Sequence, residues 1–398
     1  MFAPEQPVVI CGAGVAGIVL AIRLADLGFR PLVVEARTRT AVETEGEFLT
    51  LAPNGMNALR AVGCCDAVVA AGIDTTAIEL LNAKGRRLAL ADQSDHNRTF
   101  GAPSVTVRRG RLAAILLDRA AARGIEFKFD APVSDVSQGP DSASLALADG
   151  TRIDAAIVVA ADGLRSVVRQ RTFPDYPVPD FSGLVGAGGC VRADVPATGG
   201  AMRMVFGTSG FFGYLKEDDG PVYWFDSYPA ETPTGEEANP ARLPAFLRRL
   251  HADDPSPVPQ ILAAVTELSR TYPIFDMPPL PHWSKGRVVL VGDAAHAVGP
   301  HAGQGASMAI EDSIVLAACL VAEPHMPQAF ACYERLRRGR IDQVVKLTAR
   351  NRSSKGAIGP VGRFFRDLIL PIVVPISVRA GRKLFAYRAD LDPLAEPA

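Results

Sequence analysis

The chain reads as an α/β protein carrying an inserted unit on a largely antiparallel sheet and ending in a helical segment. Three observations predict this. A βαβ pattern opens the chain around Gly12-Ala13-Gly14-Val15-Ala16-Gly17. Helical periodicity fades from about Phe173 to Ile274, where short aromatic-rich strands take over. After Asp312 the pattern turns helical.

In order, Pro7 to Cys11 is a short apolar run of strand type, followed by the glycine loop and an amphipathic helix ending near Gly28. Arg30 to Val34 forms the second strand and closes on Glu35. In this Rossmann-like context Gly12 makes the tight turn, Gly14 lets a pyrophosphate approach the backbone, and Gly17 lets helix and strand pack. Glu35, about 20 residues on, is placed for the hydroxyls of an adenosine ribose. A turn of the same kind without a ligand is the alternative, and the motif does not separate NAD from FAD.

A helix is expected over Asn54 to Ala61 and a hairpin over Ile78 to Leu90, turning at Lys84-Gly85. Asp92 to Phe100 is polar and reads as a loop. Val105 to Leu112 leads into a helix with apolar residues at Leu112, Ile115, Leu116 and Ala120, and Ile125 to Phe129 reads as a strand. Leu145 to Ala148 and Arg152 to Ala160 flank Asp149-Gly150 as a second hairpin, which runs on into Ala161-Asp162-Gly163.

The middle region carries Phe206, Phe211, Phe212, Tyr214, Tyr223, Trp224, Phe225 and Tyr228 on short strands, a polar loop from Pro229 to Pro240, and short helices at Pro244 to Leu250 and Pro259 to Ser269. Taken singly these aromatics are core; together one sheet face is suited to a flat apolar ligand.

Arg287 to Asp312 then joins a β-branched strand, a Gly/Pro loop (Gly299, Pro300, Gly303, Gly305) and a helix starting near Gln304. Unpaired N–H groups and the helix dipole make that start a place for an anionic or electron-rich group. Asp293, at the strand end, is positioned to accept hydroxyl hydrogens from a sugar-like chain; a bare strand–helix turn is the alternative. Helices follow over Ala306 to Ala322, Gln328 to Asn351 and Phe364 to Phe385. The arginines of this last third (Arg335, Arg337, Arg338, Arg340, Arg388) read as a solvated helix face, with a membrane-surface or partner contact left open.

Composition narrows the function classes. The 398 residues are 48% hydrophobic and 21% charged, with a formal net charge of −1, so nucleic acid is not the expected partner. The six cysteines form no C-x-x-C pair and the six histidines have no zinc-like spacing. No P-loop or Gly-x-Ser-x-Gly elbow occurs. Hard chemistry therefore falls to an organic cofactor. No N-terminal signal is visible, and Leu368 to Val378 is too short and proline-broken to span a bilayer. A cytoplasmic location without an integral membrane segment is expected.

Gly12-x-Gly14-x-x-Gly17 with Glu35, then Ala161-Asp162-Gly163, then Gly292-Asp293, stand in a fixed order. Together they resemble the single-component FAD-dependent monooxygenases of the para-hydroxybenzoate hydroxylase fold, especially the salicylate-hydroxylase-like and tetracycline-oxidising ones. The resemblance implies an FAD-binding domain in three parts (1–77, 101–175, 276–328), a substrate domain in two (78–100, 176–275) and C-terminal helices (329–398). It implies that Gly12, Gly14, Gly17 and the N–H groups of Val15 and Ala16 cradle the FAD pyrophosphate. Glu35, helped by Arg37, would hold the adenosine ribose, Arg109 would lie beside the flavin chain, and Val133 would touch adenine through its backbone. Asp162 would serve FAD and nicotinamide, Asp293 the ribityl hydroxyls, and Pro300, Gly303, Gln304 and Gly305 the isoalloxazine edge. Ser307 stands where many such enzymes have asparagine.

The implied reaction uses NADPH or NADH and molecular oxygen to hydroxylate an aromatic or polyketide-like molecule through a flavin hydroperoxide. His301 is the candidate general base, the alternative being a loop side chain packed on the second domain, and His296 is expected to be structural. A flavin-dependent reductase without oxygen transfer, and a flavoprotein that sequesters a reactive intermediate, remain as alternative readings.

Overall fold

The computed structural model describes residues 7–394 except 233, 235–238, 269 and 354–358, and the side chains at 301, 350–353, 360 and 380 also lie outside the description.

Its centre is a six-stranded sheet in the order Ser284–Lys285, Val288–Leu290, Ile157–Ala160, Pro7–Cys11, Arg30–Val34, Glu126–Lys128. All pairs are parallel except the short edge pair Ser284–Lys285 with Val288–Leu290. Continuous valine and isoleucine runs make the inner strands because both their faces are covered. Val8, Val9, Ile10, Val158, Val159, Val288 and Val289 are all fully buried. Helices Val15–Asp26 and Gly305–Ala322 lie together over this sheet. By length and composition Gly305–Ala322 is apolar enough to cross a membrane, but here it is a core helix, with 72% of it buried.

The second sheet takes strands from two distant stretches. Ala77–Asn82 and Arg87–Asp92 join Asp180–Gly186, Gly188–Val191, Ala201–Phe206, Phe211–Lys216, Val222–Pro229 and Tyr272–Asp276. Every pair is antiparallel except Ala201–Phe206 with Ala77–Asn82. Period-2 alternation divides the aromatics. Phe212, Tyr214 and Trp224 are buried among residues of helices Leu243–Leu250 and Val258–Ala263. Tyr223 and Phe225 point the other way, and their rings lie 5.3 and 6.1 Å from Phe48 on the strand Phe48–Leu51.

Three expectations change, and the last expected helix starts earlier than its expected bound. Arg152 to Ala160 is two strands: Arg152–Ala155 pairs antiparallel with Ala143–Leu147, while the wholly buried Ile157–Ala160 enters the central parallel sheet. His96–Phe100 closes the polar loop as one helical turn, because His96 and Phe100 pack on Phe385, a partner supplied from the far end of the chain. The last helix, Pro360–Phe385, runs unbroken through Pro371 and Pro375; both prolines are exposed, so water can satisfy the carbonyls they leave unpaired. Arg337 and Arg340 are buried rather than solvated, for reasons that belong to the site. Ser269, the end of one expected helix, and part of the 229–240 loop lie outside the described residues.

Candidate active site

The register of the central sheet aligns three strand ends. Cys11 pairs with Ala160, and Ala160 with Leu290, so the Gly12 loop, Asp162 and Asp293 all leave the same carboxyl edge, where open α/β sheets bind ligands.

At the first strand end the glycines are there for two different reasons. A Cβ on Gly17 would lie 1.9 Å from the Gly12 carbonyl oxygen, whereas a Cβ on Gly14 would meet nothing within 4 Å. Gly17 is thus needed by the fold, and Gly14 borders space a ligand can enter. The helix that follows has no side-chain cap and no acid in its first turn, leaving its N–H groups for an anion. Glu35 is nearly buried and accepts the Ala13 N–H at 2.7 Å and the Arg37 N–H and Nε at 2.9 and 3.0 Å. Both Arg37 donors go to Oε1, so Oε2, which accepts only the Ala13 N–H, keeps a second lone pair for a hydroxyl. The Ala131 and Asp130 N–H groups donate to the carbonyls of Glu35 and Arg37, which brings the strand beginning at Val133 close to this end.

At the second, Asp162 Oδ2 accepts the Val168 N–H at 3.1 Å, while the buried Oδ1 has no partner. Burial raises its pKa despite hydrogen bonds that act to lower it. Arg169, 2% exposed, donates to the carbonyls of Leu164 at 2.6 Å and Ala294 at 2.8 Å. It ties the loop after Asp162 to the turn holding Asp293, a link absent from the sequence reading.

Asp293 heads the turn Asp293–His296 after Gly292, whose φ of 57° is open to glycine. Its side chain is exposed, yet protein crowds it on its other sides. That crowding raises its pKa; His296 and Arg109 oppose the rise and Asp312 adds to it. Arg109, the first residue of helix Arg109–Ala121, therefore sits within electrostatic reach of Asp293. Pro300–Ala302 is a 3-10 turn ended by Gly303 at φ 62°. Gln304 then precedes Gly305–Ala322, another helix start without a side-chain cap or early acid. The His301 side chain lies outside the described residues.

Behind this loop is a buried charge network that the sequence reading missed. Asp312 accepts from the Gly292 N–H at 3.0 Å, His296 Nε2 at 2.5 Å and Arg337 Nε at 2.7 Å. Glu311 accepts from Asn54 Nδ2, Arg337 and Arg340, each at 2.7 Å. Asn54 also donates to the Gln304 side chain at 3.1 Å. Burial acts to raise the Asp312 pKa, but the charges of His296 and Arg337 prevail and hold it at about 2. Two carboxylates inside an otherwise apolar helix were the available signal, since buried charges require partners. Ser307 is buried against Gly55, whose Cβ would lie 2.4 Å from its Oγ; an asparagine there would displace the helix Pro53–Arg60.

The FAD binding domain family matches residues 5–348. The chain belongs to that family. This flavoprotein is 32% identical over 362 residues to the aurachin C monooxygenase/isomerase of Stigmatella aurantiaca, with 90% of each chain covered. It is 32% identical over 352 residues to the 3-amino-4-hydroxybenzoate 2-monooxygenase of Streptomyces cremeus, with 86% of each covered. Its fold is similar to that of Klebsiella pneumoniae HpxO, solved with FAD and uric acid: TM-score 0.82, 23% identity, covering 98% of this chain and 97% of that one. It is an FAD-dependent monooxygenase. The uncapped helix starts, the space at Gly14 and the partnerless Asp162 Oδ1 fit such a cofactor.

Proposed function

We propose that this monooxygenase takes electrons from NADPH or NADH and transfers one oxygen atom of O2 to an electron-rich aromatic or polyketide-like small molecule. The alignment of Gly12, Asp162 and Asp293 at one sheet edge is the observation that carries the reading, and the half-buried Tyr223 and Phe225 beside Phe48 offer an aromatic surface for the substrate. The amino- and hydroxyl-bearing ring in one relative's name makes aminophenols the first compounds to try.

Bound FAD supplies the redox chemistry with nicotinamide and O2; the chain supplies position, field and dryness. The loop from Gly12 to Gly17 would receive the pyrophosphate, Glu35 and Arg37 the adenosine ribose, and Val133 the adenine edge. Asp293 would accept the ribityl hydroxyls beside Arg109, and Asp162 would serve both FAD and nicotinamide. The helix start at Gln304 and Gly305, behind Pro300 and Gly303, would stabilise negative charge at the isoalloxazine edge. Tyr223, Phe225 and Phe48 would exclude water from the bound substrate. Segments 78–100 and 176–275 would thus serve the substrate, 1–77, 101–175 and 276–328 the cofactor, and 329–398 would form the C-terminal helices. His301 is proposed as the base for a phenolic proton; unchanged turnover and pH profile in His301→Ala would remove it from the reaction. The reaction is taken to be cytoplasmic.

The test is anaerobic mixing of FAD-loaded protein with NADPH or NADH, with and without a panel of aminophenols, phenols and polyketides, followed by 18O2 incorporation. Faster flavin bleaching with one compound, together with one labelled oxygen in its product, supports the reading. Flavin reduction with no labelled product favours a reductase. No reduction by either nucleotide favours a sequestering flavoprotein.

A further inference from the structure

The last helix, Pro360–Phe385, shows an apolar face to the outside. Val361, Phe364, Phe365, Leu368, Ile372 and Ile376 recur at helical spacing and are each 53–70% exposed. Isolated exposed apolar residues are ordinary; a contiguous row of large ones marks an interaction surface. The row extends about 22 Å at 1.5 Å per residue.

The opposite side of the same helix is fixed to the protein. Leu370 packs against the cluster of Leu88, Phe206 and Phe211. Arg366 lies 4.8 Å over the Phe206 ring, and Asp367 accepts from Asn82 at 3.0 Å. Further along, Arg382 pairs with Asp95 at 2.9 Å. The helix is therefore held in place with its outer face uncovered.

Charge decides what that face suits. Between residues 360 and 388 the chain has six basic residues (Arg363, Arg366, Arg379, Arg382, Lys383, Arg388) and one acid, Asp367, although its formal total is −1. Ile372, Ile376, Arg379 and Lys383 follow one another at i, i+4, i+7 and i+11, so the apolar row ends in two exposed cations on the same face. Asp367 is turned away, bonded to Asn82 and Arg366. If two copies paired antiparallel through this row, Arg379 and Lys383 of each would be laid over the Val361–Phe365 end of the other, with no carboxylate on the face to receive them. Burying cations that way is costly. Lipid phosphates at an anionic bilayer surface supply the missing counter-charge while the acyl boundary takes the apolar side chains.

We infer that the outer face of Pro360–Phe385 docks this enzyme on an anionic lipid surface, lying in the plane of the interface. The inference does not depend on the substrate or on the oxygenase reading.

Flotation of the FAD-loaded full chain tests it, with vesicles of phosphatidylcholine alone and of phosphatidylcholine mixed with phosphatidylglycerol. The protein should float with the mixed vesicles, far less with phosphatidylcholine alone, and be released by high salt. Phe364→Ser/Phe365→Ser should abolish flotation. Arg379→Gln/Lys383→Gln should weaken it roughly thirty-fold, at about 1 kcal/mol per cation near the surface. Both variants should retain FAD and melting temperature, since the altered side chains are exposed. Failure of the unaltered protein to float with the mixed vesicles overturns the proposal, as does equal flotation of either variant. A dimer in light scattering that Phe364→Ser/Phe365→Ser splits assigns the face to a second copy instead. Should the serine variant lose its FAD, the charge variant decides alone.

Discussion

Replacing Arg337 by methionine tests whether the buried network behind Gly292-Asp293 carries both stability and cofactor binding. The substitution keeps most of the volume and removes the guanidinium that bonds Glu311 and Asp312, each at 2.7 Å. Glu311 keeps Arg340 and Asn54. The penalty therefore falls on Asp312, left with His296 and one N–H. Leaving a buried charge without its partner costs about 3–5 kcal/mol. Urea unfolding of Arg337→Met followed by circular dichroism should show a loss of that size. FAD affinity should fall with it, because Asp312 anchors the Gly292 N–H next to Asp293. Acid sensitivity should change as well. In the unaltered protein the Asp312 carboxylate, held at about 2 against an ordinary 3.8, adds stability above pH 3.8 that is lost as pH falls through 2. Without Arg337 that loss should begin at higher pH. Neutralising the acids too, in Arg337→Met/Asp312→Asn/Glu311→Gln, should recover part of the stability, since no bare charge remains. A loss below about 1 kcal/mol in Arg337→Met, with unchanged FAD affinity, would refute this account.

Other consequences are direct. Gly14→Ala should leave the melting temperature of the apoprotein unchanged and weaken FAD binding, while Gly17→Ala should unfold or cripple the apoprotein, because its Cβ would lie 1.9 Å from a carbonyl oxygen; fluorimetry with a flavin titration separates the two. Asp293→Ala should lose FAD during gel filtration with little change in apoprotein stability, as its side chain faces outward. Arg169→Met should lower both FAD affinity and stability, by about 2–3 kcal/mol for two charged hydrogen bonds to buried carbonyls, read by urea titration. At the end of helix Leu243–Leu250, packed on the second sheet, His251 lies between Asp254 at 2.7 Å and Asp226 at 3.4 Å. Burial acts to lower its pKa, but hydrogen bonds to Asp226 and Asp254 prevail and raise it from 6.5 to about 9. Its contribution, on the order of 3 kcal/mol, is therefore complete below pH 6.5 and lost as pH rises through 9. Stability against urea should decline over that window, and His251→Gln should remove the decline.

Local chemistry made much of this visible in the sequence. Glycine spacing, β-branched runs and strand-end acids are short-range features, and they marked the strands around Gly12, Asp162 and Asp293. What stayed hidden depends on contacts between distant residues. Arg169 is an ordinary helix arginine until the chain brings Ala294 to it, 125 residues away. Arg337 and Arg340 read as solvated because their partners are on a different helix. His96–Phe100 becomes helical only because Phe385 covers it. Alternation along Val222–Pro229 was legible, but which face is core and which faces Phe48 was not.

The order of strands in the central sheet also governs when the enzyme can be assembled. Pro7–Cys11 is made first, yet its neighbour Ile157–Ala160 is flanked in turn by Val288–Leu290. At about 5–20 residues per second, a ribosome needs on the order of 15–60 s to reach that last strand. Over that interval the first valines to emerge have no finished sheet to enter and are exposed to chaperones and proteases. The covering helix Gly305–Ala322 arrives later still. Flavin capture is therefore a late event in the life of the nascent chain, and truncated translation products should emerge colourless and short-lived.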